Sequence, residues 1–147
     1  MAIHLEEKSG SVAECRREGL ATGRVGARDE AERLLPKLAH LTPEDEALCR
    51  GVFENGMTPA QLARLTGLHR STVANRVKRI SRRMRSPEFA FVLATRDAWD
   101  EERRRVATAR FLEGRPLRET ARVTGVSVFR VRRHCDAILA QFEHSRL

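Results

Sequence analysis

The chain is poor in aromatic residues and in cysteine. It has no tyrosine, one tryptophan and six phenylalanines among 147 residues. Its three cysteines, Cys15, Cys49 and Cys135, are isolated, and none has the Cys or His spacing of a zinc site or a disulfide framework. Cys49 and Cys135 lie at apolar positions of helical patterns, so we expect them to fill the core. The sequence therefore predicts neither a metal site nor a structural disulfide.

Long apolar segments and strand-like patterns are also missing. No apolar run is long enough to span a bilayer, and no signal peptide is recognisable. Apolar residues do not alternate with period two, whereas Ala, Leu, Arg and Glu are abundant. These features predict an all-α fold and a cytoplasmic location.

The sequence contains no arrangement typical of an enzyme. Its five histidines form no recognisable nucleophile–base pattern with the serines. The acidic pairs and triplets, such as Glu101-Glu102, lie where helices begin and favour the positive end of the helix dipole. Gly23-x-x-Gly26 is too short to indicate a phosphate-binding loop. We expect no catalytic residues and no cofactor.

The net charge of +8 is unevenly distributed. Residues 1–40 are neutral, whereas residues 41–86 contain nine basic and four acidic residues. The stretch Arg70–Arg85 alone has seven basic residues and no acidic one. Basic residues clustered on one helix are the pattern expected of a surface that contacts phosphates.

An internal repeat organises the chain. The stretch Gly56–Ile80 recurs 58 positions later as Gly114–Ile138. The identical pairs are Gly56 and Gly114, Ala63 and Ala121, Arg64 and Arg122, Thr66 and Thr124, Gly67 and Gly125, Val73 and Val131, and Ile80 and Ile138. Each copy has the spacing of a helix, a glycine turn and a second helix.

We therefore predict two tandem tri-helical helix-turn-helix domains. The boundaries are a flexible tail over 1–28, a first domain over 29–85 that includes a leading helix, a linker helix over 86–98, and a second domain over 99–147. Pro36 should kink or end the leading helix. The linker is apolar and should pack the two domains together.

Capping signals delimit the predicted helices. Thr42-Pro43 and Thr58-Pro59 begin the first two helices of the first domain, and Gly67 ends the second. The third helix runs from Arg70 to Met84. In the second domain, the helices cover about 99–112, 117–123 and 128–142, with Ser127 as a cap. The predicted core residues of the first domain are Leu48, Val52, Phe53, Leu62, Ala63, Leu65, Leu68, Val73, Val77 and Ile80.

The two copies contain residues that resemble those of two known families. Leu41-Thr42-Pro43-Glu44, the Gly-x-Thr of Gly56–Thr58, Ala63, Gly67 and Thr72-Val73 followed by Arg76 are similar to the helix-turn-helix of LuxR-type regulators and to the fourth region of bacterial sigma factors (sigma-70 region 4). The second copy, from Glu101 through Glu113-Gly114 to Ser127, resembles the sigma version. The chain departs from the pattern at His69, which replaces the usual Ser/Thr cap. It also contains nothing similar to a phosphoacceptor domain or to the sigma segments that melt promoters.

The resemblance and the helical stripes together imply a set of DNA contacts. The residues assigned to base contact are Ser71, Thr72, Asn75, Arg76, Arg130, Arg133 and His134. Those assigned to the DNA backbone are Arg70, Lys78, Arg79, Arg82, Arg83 and Arg132. Val128 and Phe129, at the tip of the second recognition helix, are the candidates for a partner-binding patch.

These observations lead to a functional hypothesis with alternatives. The leading one is a bacterial or phage transcription regulator, activator or repressor, that reads double-stranded DNA with both units. In the first alternative, one unit binds DNA and the other binds a protein such as RNA polymerase. In the second, the chain is the DNA-binding component of a recombination or partition system. A homodimer formed through the helix around Leu34–Leu41 or through the tail also remains open.

Overall fold

The computed structural model describes residues 26–147, and this part of the chain contains eight α-helices and no strand. The prediction of an all-helical fold is confirmed for these residues. Almost all of the predicted flexible tail, including Cys15, lies outside the described residues. The elements in chain order are α1 (26–34), a 3₁₀ turn (Leu35–His40), α2 (Pro43–Phe53), α3 (Pro59–Thr66), α4 (Arg70–Met84), α5 (Pro87–Thr95), a 3₁₀ turn (Arg96–Ala98), α6 (Glu101–Ala107) with a π-helical end (Thr108–Leu112), α7 (Leu117–Thr124) and α8 (Val128–Ser145).

Local capping explains where the helices begin. The side chains of Thr42 and Ser127 accept hydrogen bonds from the backbone N–H groups of the third residue of α2 and of α8, which confirms both predicted caps. Thr58 forms a reciprocal capping box with Gln61. His69 replaces the usual hydroxyl, and its Nδ1 accepts the Ser71 N–H at 3.2 Å. The departure from the family pattern therefore does not leave α4 uncapped.

The internal repeat is visible in the backbone hydrogen bonds. Four backbone N–H to carbonyl bonds of the first unit have a counterpart 58 residues later in the second. They are Asn55 to Arg50 (Glu113 to Thr108), Met57 to Gly51 (Arg115 to Ala109), Gly67 to Ala63 (Gly125 to Ala121) and Leu41 to Leu38 (Trp99 to Arg96). The last pair precedes the copied sequence stretch, so the structural repeat begins earlier than the sequence repeat. The segment predicted as a linker, α5 and its 3₁₀ turn, has the same place in the second unit as α1 and its turn have in the first. We call α1–α4 the first unit and α5–α8 the second unit.

The leading segment of the first unit behaves as Pro36 predicts. The α-helix ends at residue 34, and the chain continues as a 3₁₀ turn up to His40. Leu34, Leu38 and Leu41 are buried along this segment. The proline thus changes the helix type without removing the apolar stripe from the core.

One hydrophobic cluster joins the two units. It contains Leu34, Leu38, Leu41, Cys49, Ile80 and Met84 from the first unit and Phe89, Val92, Ala107, Leu112 and Ile138 from the second. Phe89 and Val92 on α5 are fully buried in it, as expected for an apolar helix between the units. Each unit has a smaller cluster of its own, around Val73 in the first and Val131 in the second. The largest core is therefore shared, and neither unit contains it alone.

Two predicted core residues are on the surface. Leu65 is 73% exposed and Leu68 is 37% exposed, so the prediction that they are buried is wrong. Both line a groove on the surface beside α2, which contributes Glu44, Ala47, Leu48, Arg50 and Gly51 to the same groove. At the position equivalent to Leu68, Val126 is only 6% exposed.

Gly114, a residue of the second unit that lies against Arg83 of the first, allows a testable prediction about stability. Gly114 has a φ of +71°, and a Cβ atom added there would collide with the Arg83 guanidinium. Its counterpart Gly56 has a φ of +64° and open space around it. Gly56→Ala should cost about 1–2 kcal/mol through left-handed strain alone. Gly114→Ala should cost roughly a further 1–3 kcal/mol, because Arg83 must move.

Urea unfolding of the two glycine variants, compared with the parent chain, measures this difference. Gly56→Ala is the matched control, since it carries the same backbone strain without the collision. Equal losses of unfolding free energy in the two variants would show that the Arg83 guanidinium does not occupy the space beside Gly114.

Candidate nucleic-acid interface

Helix α4 is apolar on one side and strongly basic on the other. Val73, Ile80 and Met84 are buried beneath it, at spacings of seven and four residues. The exposed residues on the opposite side are Arg70, Ser71, Thr72, Asn75, Lys78, Arg79 and Arg82. Arg85 follows the end of α4 and pairs with Glu30 at 2.9 Å. No acidic residue occurs in α4, so this face presents an uninterrupted positive field around a short polar strip.

Arg76 lies at the edge of this face but is bonded elsewhere. Its Nε and Nη2 atoms both approach Asp45 Oδ1 at 2.9 Å. Asp45 is only 8% exposed, so its charge is largely removed from water and depends on this partner. The predicted base contact by Arg76 would require breaking a half-buried ion pair. We therefore correct its role to that of a residue that fixes α4 against α2.

Arg83, predicted to contact phosphate, lies instead between the two units. Its Nε donates to the Leu112 carbonyl oxygen at 3.0 Å, and its Nη2 lies 3.7 Å from Asp45 Oδ2. Burial, partly offset by the nearby Asp45 carboxylate, lowers the pKa of this guanidinium from its usual value. With 19% of the side chain exposed, Arg83 connects α4 to the end of α6 and is not part of the basic face.

The second unit contains a similar acid–base contact. Glu102 Oε2 lies 2.7 Å from Arg130 Nη2 and 2.9 Å from His134 Nε2. His134 Nδ1 accepts a hydrogen bond from Arg103 Nε at 3.2 Å, so one neutral tautomer satisfies both ring nitrogens. The hydrogen bond from His134, followed by the Arg130 charge, lowers the pKa of Glu102.

His134 is therefore corrected in the same way as Arg76. Its side chain is only 13% exposed and both of its ring nitrogens form hydrogen bonds within the unit, so it does not face outward as predicted. Positions 76 and 134 are equivalent in the repeat. Each bonds an acid in the first turn of another helix of its own unit, Asp45 in α2 and Glu102 in α6. From the sequence alone these acids are explained as helix-start residues. The shift of 58 does not reveal the pairing, because Glu102 corresponds to Glu44 and Asp45 corresponds to Arg103.

The exposed tip of α8 combines an aromatic ring with cations. Phe129 is 68% exposed, and the Arg133 guanidinium lies 5.9 Å from its ring centroid. Arg130 and Arg132 are also exposed, and Val128 is half-buried. The two residues predicted as a partner patch thus differ, because only Phe129 projects into solvent.

The remainder of α8 lacks the cations of α4. Lys78, Arg79, Arg82 and Arg83 are replaced at the equivalent positions by Asp136, Ala137, Ala140 and Gln141. No lysine or arginine occurs between Arg133 and Arg146. Positive charge on α8 is therefore confined to its first turns, whereas on α4 it extends along the whole helix.

The structure can also be compared with the expectations for the cysteines, for metal sites and for membrane spans. Cys49 and Cys135 are buried, which confirms their assignment to the core, and burial raises the pKa of the Cys49 thiol to about 12. Residues 26–147 contain no group of three or more side chains suited to hold a metal ion. Among the described helices, none has the length and apolar character needed to cross a bilayer.

Comparisons with protein-family models, with curated proteins and with solved structures find no match to this chain. The functional argument therefore depends on the geometry and charge of the two units themselves.

Proposed function

We propose that this chain is a sequence-specific double-stranded DNA-binding transcription regulator in which α3 and α4 form a helix-turn-helix. The supporting observation is the outer face of α4. A polar strip, exposed and free of acidic residues, is flanked along the whole helix by cations. A recognition helix in the major groove needs this combination, since polar side chains read base edges and cations bind the phosphates on either side.

Contacts can be assigned within this proposal. Asn75 pairs with adenine, and Ser71 and Thr72 contact neighbouring bases, each good pairing contributing about 1–3 kcal/mol of discrimination. Arg70, Lys78, Arg79 and Arg82 contact phosphates and contribute affinity without sequence preference. Arg76 acts indirectly, because its ion pair with Asp45 holds α4 in place.

The second unit presents α7 and α8 in the same arrangement. In the tandem form of the proposal, Arg130 and Arg133 read bases and Arg132 binds a phosphate. The shared core supports this form, since two rigidly joined units would hold their recognition helices at one fixed separation. Successive major grooves on one face of the duplex are about 34 Å apart.

A second candidate function is favoured by the composition of α8. The helix loses the cations of α4, Glu102 already pairs with Arg130, and Phe129 is largely exposed. These features suit a surface that binds protein better than one that binds phosphates. In this version, the first unit binds DNA and the second binds a partner such as RNA polymerase or a recombination or partition protein.

Selection from a random duplex library at about 150 mM salt tests the proposal. Point variants are needed, because deleting the second unit would remove Leu112 and Ile138 from the shared core. The tandem form predicts a motif of two blocks about 10 base pairs apart, with Asn75→Ala relaxing one block and Arg133→Ala the other. A single block that changes only in Asn75→Ala supports the second candidate. If the intact protein enriches no motif, sequence-specific DNA binding is wrong.

A further inference from the structure

A groove on the first unit has no role in the proposed DNA interface. It lies between α2 and α3 and has a volume of about 490 Å³. Its apolar lining is made by Leu48, Gly51, Met57, Leu62, Leu65 and Leu68. Ser71, Thr72 and Asn75 do not line it. An exposed apolar concavity of this kind is typical of a surface that receives another side chain.

The equivalent groove of the second unit has a different lining. Ala47 and Met57 are replaced there by Arg105 and Arg115. Arg105 donates to the Thr124 carbonyl at 3.1 Å, and Arg115 pairs with two glutamates. Since paired charges line the second groove, the apolar character of the first groove does not follow from the fold itself.

The chain also carries a projecting group that suits such a groove. We define the Phe129 tip as Phe129, Arg130, Arg132 and Arg133. The benzyl side chain is 68% exposed, and the equivalent position in the first unit is the small residue Ser71. An aromatic ring beside arginines is the kind of group that anchors protein interfaces.

The groove and the tip carry unpaired charges of opposite sign. Of the three acids that begin α2, Asp45 and Glu46 pair with Arg76 and Arg50, which also line the groove. Of the three arginines of the tip, Arg130 pairs with Glu102, whereas Arg132 and Arg133 form no ion pair within residues 26–147. Glu44 is exposed at the groove and forms no ion pair within residues 26–147. A chain with a net charge of +8 repels its own copies, so association requires a local match of this kind.

We propose that a second copy of this chain occupies the groove. The Phe129 tip of one protomer enters between α2 and α3 of the next, with Arg132 and Arg133 towards Glu44. The contact joins different surfaces of the two copies and is therefore head-to-tail. Each added protomer leaves one groove and one tip free, so association continues beyond the dimer.

Sedimentation equilibrium of the full chain without DNA, across the micromolar range, tests this proposal. Wild-type protein should form dimers and longer assemblies. Leu65→Lys blocks the groove and Phe129→Asp removes the tip, and each should weaken association at least about tenfold. An equimolar mixture should recover dimers and nothing larger, because only the groove of Phe129→Asp and the tip of Leu65→Lys remain intact.

Leu139→Lys is the matched control, since it places the same charge at a residue 41% exposed outside the groove and the tip. It should associate like wild type. Circular dichroism verifies the fold, and Leu68→Lys and Phe129→Ser replace any variant that loses helical signal. A wild-type chain that stays monomeric overturns the proposal, as does normal association by Leu65→Lys. Because no DNA is present, either result leaves the DNA-binding proposal to its own test.

Discussion

Replacing Lys78, Arg79 and Arg82 together by alanine is expected to weaken DNA binding roughly 100-fold at about 150 mM salt. These three exposed cations lie on the outer side of α4, and none forms an ion pair within the described residues. Each cation that neutralises a phosphate releases a counterion, so losing three should reduce the slope of log K against log salt by about 2.7. Fluorescence anisotropy with a labelled duplex at several salt concentrations measures both quantities.

The control for this variant removes the same charge elsewhere. Alanine at Arg28, Arg33 and Arg146 lowers the net charge equally, and all three residues are exposed outside α4. If both triple variants lose affinity and slope to the same extent, total charge explains binding and α4 has no special role. A change confined to the α4 variant supports the assignment of the recognition helix.

Phe89→Ala is expected to destabilise the whole protein by about 3–5 kcal/mol. Phe89 is fully buried in the cluster that contains residues of both units, so its removal leaves a cavity that both units line. Small domains have unfolding free energies of about 5–15 kcal/mol, and the loss is therefore a large part of the total. Leu139→Ala, at a residue 41% exposed, should change the unfolding free energy by less than about 1 kcal/mol.

Two optical signals show whether the units unfold together. Trp99 is the only tryptophan and lies in the second unit, 6.2 Å from Phe91 between ring centroids, whereas circular dichroism reports all the helices. A shared core predicts that both signals change at the same urea concentration, in the parent and in Phe89→Ala alike. Separate midpoints for the two signals would show that each unit folds alone, contrary to the packing around α5.

Helix positions followed from the sequence because their causes are local. Thr42 and Ser127 accept N–H groups three residues away, and Gly67 ends α3 through its own left-handed backbone. The prediction of a helix from Arg70 to Met84 agrees with α4 at both ends. The repeat of 58 residues and the basic character of α4 could also be read directly from the residues.

The tertiary structure decided which arginines and leucines are free to contact a partner. Arg76 and His134 bond acids 31 and 32 residues away, and Arg83 donates to a carbonyl 29 residues away. An apolar stripe along a helix predicts only that the polar side chains on its other sides point away from the core that the stripe forms. Whether they meet solvent or an acid depends on which helix packs alongside.

The same reason explains Leu65 and the apolar helix α5. Leu65 fits an apolar stripe, yet it lines a groove beside α2 and stays 73% exposed. The apolar pattern of α5 predicted that it packs the two domains together, and only the structure shows that Phe89 lies in the largest core, which both units share. The sequence by itself therefore determined the helices, their repeat and the basic face of α4. Only tertiary packing decided that the units share a core and which polar groups stay exposed, because those outcomes depend on distant surfaces meeting.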